Sequence, residues 1–263
     1  MGAVSRRAWV TVGVVAWAVV LVVAGTYAAR DGKPTVREQT TIVEALPTLD
    51  RAVAAVVQAA AGPRVVVGLG SYQRTSDDCK AGNRTGERYE RVATVYTVPG
   101  GEPALLDRIG AGLPRSYRPV VRHAKAVHSL RADAGFYVRL VGGLDAPGEL
   151  RFTADTGCRV LGGTVPAARA STAPPAATDA LDRLGLGIGQ VTSSTVRCPS
   201  GKELDATTVT APRPAGPLAA ALPAGVAPII ARADLVVYEQ DGFGVAARLR
   251  AEDLQVTAAT GCQ

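Results

Sequence analysis

Thr153-Ala154-Asp155-Thr156-Gly157-Cys158 returns further along the chain as Thr257-Ala258-Ala259-Thr260-Gly261-Cys262. Working backward from that pair, Gly68-Leu69-Gly70 before Cys79 is matched by Gly187-Ile188-Gly189 before Cys198, with nine positions from the last glycine to the cysteine in each case. Leu113-Pro114 and Pro119-Val120-Val121 are matched by Leu222-Pro223 and Pro228-Ile229-Ile230, and Gly135-Phe136 with Val138 by Gly242-Phe243 with Val245. The matches keep one order, as expected of a duplicated unit rather than of chance likeness. Its two copies cover 63–161 and 178–263. The cysteines lie 79 positions apart in the first copy and 64 in the second, so the second has shed residues, which belongs in loops.

Each copy reads as strand, strand, helix, strand, strand, strand. In the first, 65–79 opens with an apolar run and 89–98 alternates Val92, Tyr96 and Val98 on one side. A short helix starts at Pro103 and stops at Gly110-Ala111-Gly112. Period-2 patterns at 120–131, 136–141 and 149–155 supply three more strands. The expected fold class is α+β, each copy a mainly antiparallel sheet with a helix on one face and one disulfide. Four cysteines allow three pairings, and duplication of a unit with its bridge favours Cys79–Cys158 and Cys198–Cys262.

Residues 8–29 carry no charge and as a helix would reach about 33 Å, enough for a bilayer core of about 30 Å. Arg6 and Arg7 precede this run, and Trp9 and Tyr27 flank it as interfacial aromatics would. A short cytoplasmic tail (1–7), a transmembrane signal-anchor (8–29) and an extracytoplasmic remainder are therefore expected. The competing expectation is a cleaved signal peptide with Thr26-Tyr27-Ala28 at the cleavage site, leaving a secreted protein. Export suits an even set of cysteines without a CxxC pair. A helical stalk is expected at 30–62. Within it Ile42, Leu46, Leu49, Val53, Val56 and Ala60 fall at steps of four and three, which permits either a seam for a second chain or packing on the protein's own sheet. Pro47 is expected to kink or divide the helix. A linker rich in Pro and Ala is expected at 162–177.

Nearly half of the 263 residues are apolar (47%), which excludes general disorder. The formal charge of +6 is spread without clusters, and its basic residues are nearly all arginine, with lysine only at 33, 80, 125 and 202. This is the composition of a GC-rich bacterial genome, such as an actinobacterial one, and no nucleic-acid partner is expected.

Thr156-Gly157-Cys158-Arg159 resembles the Ser/Thr-x-Gly-Cys-x-Arg signature of the L,D-transpeptidases, cell-wall crosslinking enzymes with a cysteine nucleophile. The resemblance would make Cys158 catalytic, yet Arg159 falls one place early and positions 141–144 are Val, Gly, Gly and Leu, where the motif brings its histidine. The second copy keeps Thr-Gly-Cys with Gln263 in place of the arginine. On one continuous strand His123 and His128 point to opposite faces, which keeps them from sharing a metal. Asp77-Asp78 read as a solvated turn, and Gly68-Leu69-Gly70 as a strand glycine pair at a bulge or close crossing. No catalytic, cofactor or metal residues are assigned, so the four cysteines are the site residues, as disulfides.

The expected function is that of a single-pass envelope protein, not an enzyme, presenting two stapled modules for an envelope protein or small ligand. Two alternatives stand beside it: a thiol enzyme using Cys158, and an assembly protein forming homo-oligomers through 34–61.

Overall fold

The structure, a computed structural model, describes residues 6–31, 40–125 and 127–262, with the side chains of 6–8, 10, 27–31 and Asp77 outside the description. The cytoplasmic tail up to Ser5, the Tyr27 anchor and stalk residues 32–39 accordingly lie outside it. The fold is mixed α+β, with two antiparallel sheets and two disulfides.

Helix α1 (Arg6–Asp31) forms over the uncharged run. The described side chains from Trp9 to Thr26 are all exposed, Trp17 at 65% and Val22 at 65% among them. Among the described residues no helix is long and apolar enough to cross a membrane, so the structure does not itself carry the expected span.

Helix α2 (Ile42–Ala60) opens on a capping box. The Glu44 amide donates to the Thr41 hydroxyl, and the Glu44 carboxylate accepts from the Thr41 amide at 2.8 Å. Its Ile42 and Val43 amides donate to the Val160 and Leu161 carbonyls, tying the helix start to the end of the first copy. The division expected at Pro47 does not occur, and the spacing from Ile42 to Ala60 takes the second of its two expected readings, packing within the chain. The helix runs unbroken through Pro47, whose side chain faces solvent near the first turns. The seam residues Ile42, Leu46, Leu49, Val53, Val56 and Ala60 are all buried within the chain's own core, so 42–60 is a core element rather than a free stalk. Full burial of each Leu or Val contributes about 1.5–3 kcal/mol, which outweighs anything the exposed face could gain.

The first sheet contains β1 (Val66–Leu69), β2 (Gln73–Ala81), β3 (Arg84–Tyr96), β4 (Val120–Ala124), β5 (Val127–Asp133), β6 (Arg139–Ala146) and β7 (Glu149–Asp155). Its order is β1-β3-β7-β6-β5-β4, and β2 pairs with the first half of β3. Helix α3 (Glu102–Gly112) and α2 cover the face made by Ala93, Val95, Leu130, Leu140, Leu150 and Phe152. The expected strand over 120–131 is in fact the β4–β5 hairpin, turning at Lys125, whose φ is 52°.

The second sheet contains β8 (Arg169–Ala170), β9 (Val191–Arg197), β10 (Glu203–Pro212), β11 (Ile230–Ala231), β12 (Leu235–Gln240), β13 (Phe243–Leu249) and β14 (Asp253–Ala259), in the order β11-β12-β13-β14-β10-β9-β8. From β4 to β3 and from β11 to β10 the two orders are the same path. Helix α4 (Pro175–Arg183) covers one face, through Ala176, Ala177, Ala180 and Leu181. Where the first copy has the eleven residues of α3, the second has a four-residue 3-10 turn, Leu218–Ala221. The expected linker is partly structured, since it supplies β8 and the start of α4. Gly187–Gly189 lies in a loop, not in a strand like its match in β1.

The other face of the second sheet receives the first copy. Val66 and Tyr96 pack with Ile229, Ile230, Leu235, Val237 and Ala246 in a core of their own. At the crossing of β1 over β13, a Cβ on Gly244 would lie 2.7 Å from Val66, so only glycine fits. Two arginine networks frame this contact. Arg91 is buried, with its guanidinium 2.5 Å from Asp50, 2.9 Å from the Thr195 carbonyl and over the Tyr72 ring. Glu149, 1% exposed, is bonded by Arg232 at 2.5 Å and by Arg248.

Candidate ligand-binding groove

The face of the first sheet that meets the second copy through Tyr96 and Glu149 is open at its other end. There the period-2 alternation that buries Leu130, Ala132 and Leu140 turns Arg131, Asp133 and Arg139 outward, and β7 adds Asp155 beside Arg139. With Arg88, Tyr117, Arg118, Val120 and Tyr137 these residues line a groove of about 710 Å3. Four arginines face two aspartates there. Asp155 is engaged by Arg139 at 3.3 Å, by Arg88 at 3.6 Å and by the Gly157 amide at 2.6 Å. Asp133 accepts from the Gly135 amide at 2.9 Å and lies 4.0 Å from Arg118. The carboxylates are thus committed locally, and Arg131 stands exposed on β5. Burial raises the Tyr117 hydroxyl above the ordinary tyrosine range, so it meets a ligand as a neutral donor.

Tyr137 reaches the groove from the turn between β5 and β6. Gly135, Phe136 and Tyr137 connect β5 to β6 at φ values of 86°, 50° and 57°. Two consecutive bulky residues in the left-handed region cost about 1–2 kcal/mol each, so the surroundings must hold them there. The brace is Arg159, fully buried, whose guanidinium donates to the Phe136 carbonyl and, at 2.7 Å, to the Thr156 carbonyl. Phe136 and Tyr137 nevertheless remain 62% and 55% exposed.

In the second copy the equivalent connection is two residues, Asp241 and Gly242, at φ 51° and 80°. Strand register places Arg139, opposite Asp155, where the second copy has Gly244, opposite Ala259. The sequence match of Phe136 with Phe243 is therefore a slip: Phe243 opens a strand and Phe136 sits in the turn.

Both expected bridges form, Cys79–Cys158 and Cys198–Cys262. The sulfur that the transpeptidase likeness would make a nucleophile is thus in a disulfide, and Arg159 serves as the brace. Asp78 lies exposed on β2 rather than in a turn. His123 and His128 are brought together, against expectation, as cross-strand partners in the β4–β5 hairpin. Sequence reasoning missed Arg131, Arg139 and Tyr137. Their only signal is the outward set of an alternating pattern, which names a face and not its neighbours. Among the described residues no group of three or more His, Cys, Asp or Glu side chains is arranged to hold a metal.

No protein-family model matches the chain, and no curated protein matches it. A crystal structure of a DUF4853 family protein from Actinomyces odontolyticus ATCC 17982 is similar to it at 14% identity and a TM-score of 0.35, over 65% of this chain and 94% of that one.

Proposed function

We propose that the chain is an exported, membrane-anchored binding protein of the bacterial envelope, not an enzyme, and that its first copy takes a small anionic ligand in the groove lined by Tyr117 and Tyr137. The observation that carries this reading is the excess of arginine over carboxylate in an aromatic-edged groove of about 710 Å3. Each charge-assisted hydrogen bond from arginine to a carboxylate or phosphate contributes about 1.5–3 kcal/mol. The tyrosines add flat apolar surface for the body of the ligand. The volume suits a molecule of sugar-phosphate or polycarboxylate size. Anchoring is supported by the uncharged run at 8–29 and by the exposed apolar side chains of α1, and the extracytoplasmic side by two disulfides.

The test is a thermal-shift and calorimetric titration of the full chain in detergent micelles with glucose 1-phosphate and with citrate. Saturable binding that falls at least tenfold in Arg131→Ala is expected, with Arg213→Ala in the second copy as an unaffected control. The reading is wrong if neither anion saturates the protein by about 10 mM, where binding free energy drops below roughly 3 kcal/mol.

A further inference from the structure

On the opposite face of the first sheet, at its β4 edge, lies a cluster that the groove does not use. The Nδ1 atoms of His123 and His128 face each other at 2.7 Å, with ring centroids 4.9 Å apart. From the adjoining helix α3, Asp107 Oδ1 sits 2.9 Å from His123 Nε2. A carboxylate at that distance fixes the proton of His123 on Nε2, because a carboxylate can only accept. The lone pair of His123 is thereby left on Nδ1, pointing at His128. That lone pair accepts a hydrogen bond from the Nδ1–H of His128.

We propose that this pair is a two-nitrogen site for a borderline divalent transition-metal ion, Zn2+, Cu2+ or Ni2+. Imidazole nitrogen is the donor these ions prefer. A carboxylate on the far nitrogen of a ligating histidine is the arrangement that orients such ligands and raises their basicity. On binding, the ion takes the place of the shared proton: the Nδ1 proton of His128 moves to Nε2, and both Nδ1 lone pairs turn to the metal. Two nitrogens on a tetrahedral ion stand about 3.3 Å apart, so the pair must open by about 0.6 Å. His123 is 35% exposed and sits two residues before the Lys125 turn, so a small side-chain rotation suffices. Water completes the coordination, which leaves the ion exchangeable and open to a further ligand. Lys125 is exposed at the turn tip and free to swing its charge away from the ion. The site belongs to the first copy alone, since the second has neither α3 nor a histidine.

These are the only two histidines in the chain, so His123→Ala/His128→Ala gives a histidine-free background. The full chain in detergent is titrated with Zn2+ by calorimetry and with Cu2+ by electron paramagnetic resonance. One Zn2+ per chain with Kd on the order of 10 μM is expected, with two-nitrogen hyperfine structure on Cu2+. Affinity should fall at least tenfold in either single variant and about tenfold in Asp107→Asn, with circular dichroism unchanged. Absence of stoichiometric uptake, undiminished uptake by the histidine-free variant, or a one-nitrogen Cu2+ spectrum would each overturn the proposal.

Discussion

In the first copy the connection from β5 to β6 turns through Gly135, Phe136 and Tyr137, while in the second the matching connection turns through Asp241 and Gly242. The second solution is the cheap one. Asp tolerates the left-handed region better than most residues, Gly accepts it freely, and the pair makes a tight hairpin. The first solution sets two aromatic residues in that region and braces them with a buried arginine that the second copy lacks. The same contrast runs along the rest of the scaffold. The first copy keeps a full helix α3, the His123–His128–Asp107 cluster and the arginine-lined groove, whereas the second has a 3-10 turn and lends an open sheet face to the first. One strand order thus supports two roles: a bearing surface in the second copy and an elaborated rim in the first.

If both copies depend equally on their staples, Cys79→Ser/Cys158→Ser and Cys198→Ser/Cys262→Ser should each cost about 4 kcal/mol in denaturant unfolding, because loops of 79 and 64 residues differ little in closure entropy. A difference above about 2 kcal/mol would show that one copy does not need its bridge. The seam between copies is tested by Glu149→Ala, which removes the buried carboxylate partner of Arg232 and Arg248 and leaves Arg232 only Asp234 and the Pro147 carbonyl. A loss of about 3 kcal/mol with one cooperative transition is expected, whereas two separate transitions would mean that the copies fold independently.

A smaller effect addresses the turns themselves. Phe136→Gly should stabilise the protein by about 1 kcal/mol, and Asp241→Gly should gain only a few tenths. Loss of stability in Phe136→Gly would show that the aromatic turn is there for packing. The smallest effect is electrostatic. The hydrogen bond from Arg232 holds the Asp234 carboxyl below the ordinary carboxylate range. A lowered folded value contributes stability above the unfolded value, and that stability is lost as pH falls through the folded one. Wild-type urea midpoints should therefore drop more than those of Asp234→Asn between about pH 5 and about pH 2. Equal drops would remove Asp234 from the seam.

The strands, the bridges and the duplication were legible because each leaves a local mark: alternation, matched cysteines and a repeated phrase. The β4–β5 turn left none. The stretch 120–131 alternates throughout and offers no Gly, Pro, Asn or Asp, and the chain reverses at Lys125 instead. Reading it as one strand sent His123 and His128 to opposite faces, when the reversal makes them neighbours. The spacing from Ile42 to Ala60 showed that one side of the helix is buried but could not name what buries it. The groove needs Arg131, Arg139 and Asp155 from three strands to adjoin, which depends on a sheet order that no local pattern encodes.

The proposed ligand site lies wholly in the first copy, with the second copy as its support. Backbone amide hydrogen exchange of the full chain, with and without saturating glucose 1-phosphate, tests it most directly. The account predicts added protection confined to the segments around Tyr117, Arg131 and Tyr137–Arg139, with none at 239–245. Protection centred on the second copy, or none anywhere at saturation, would contradict it.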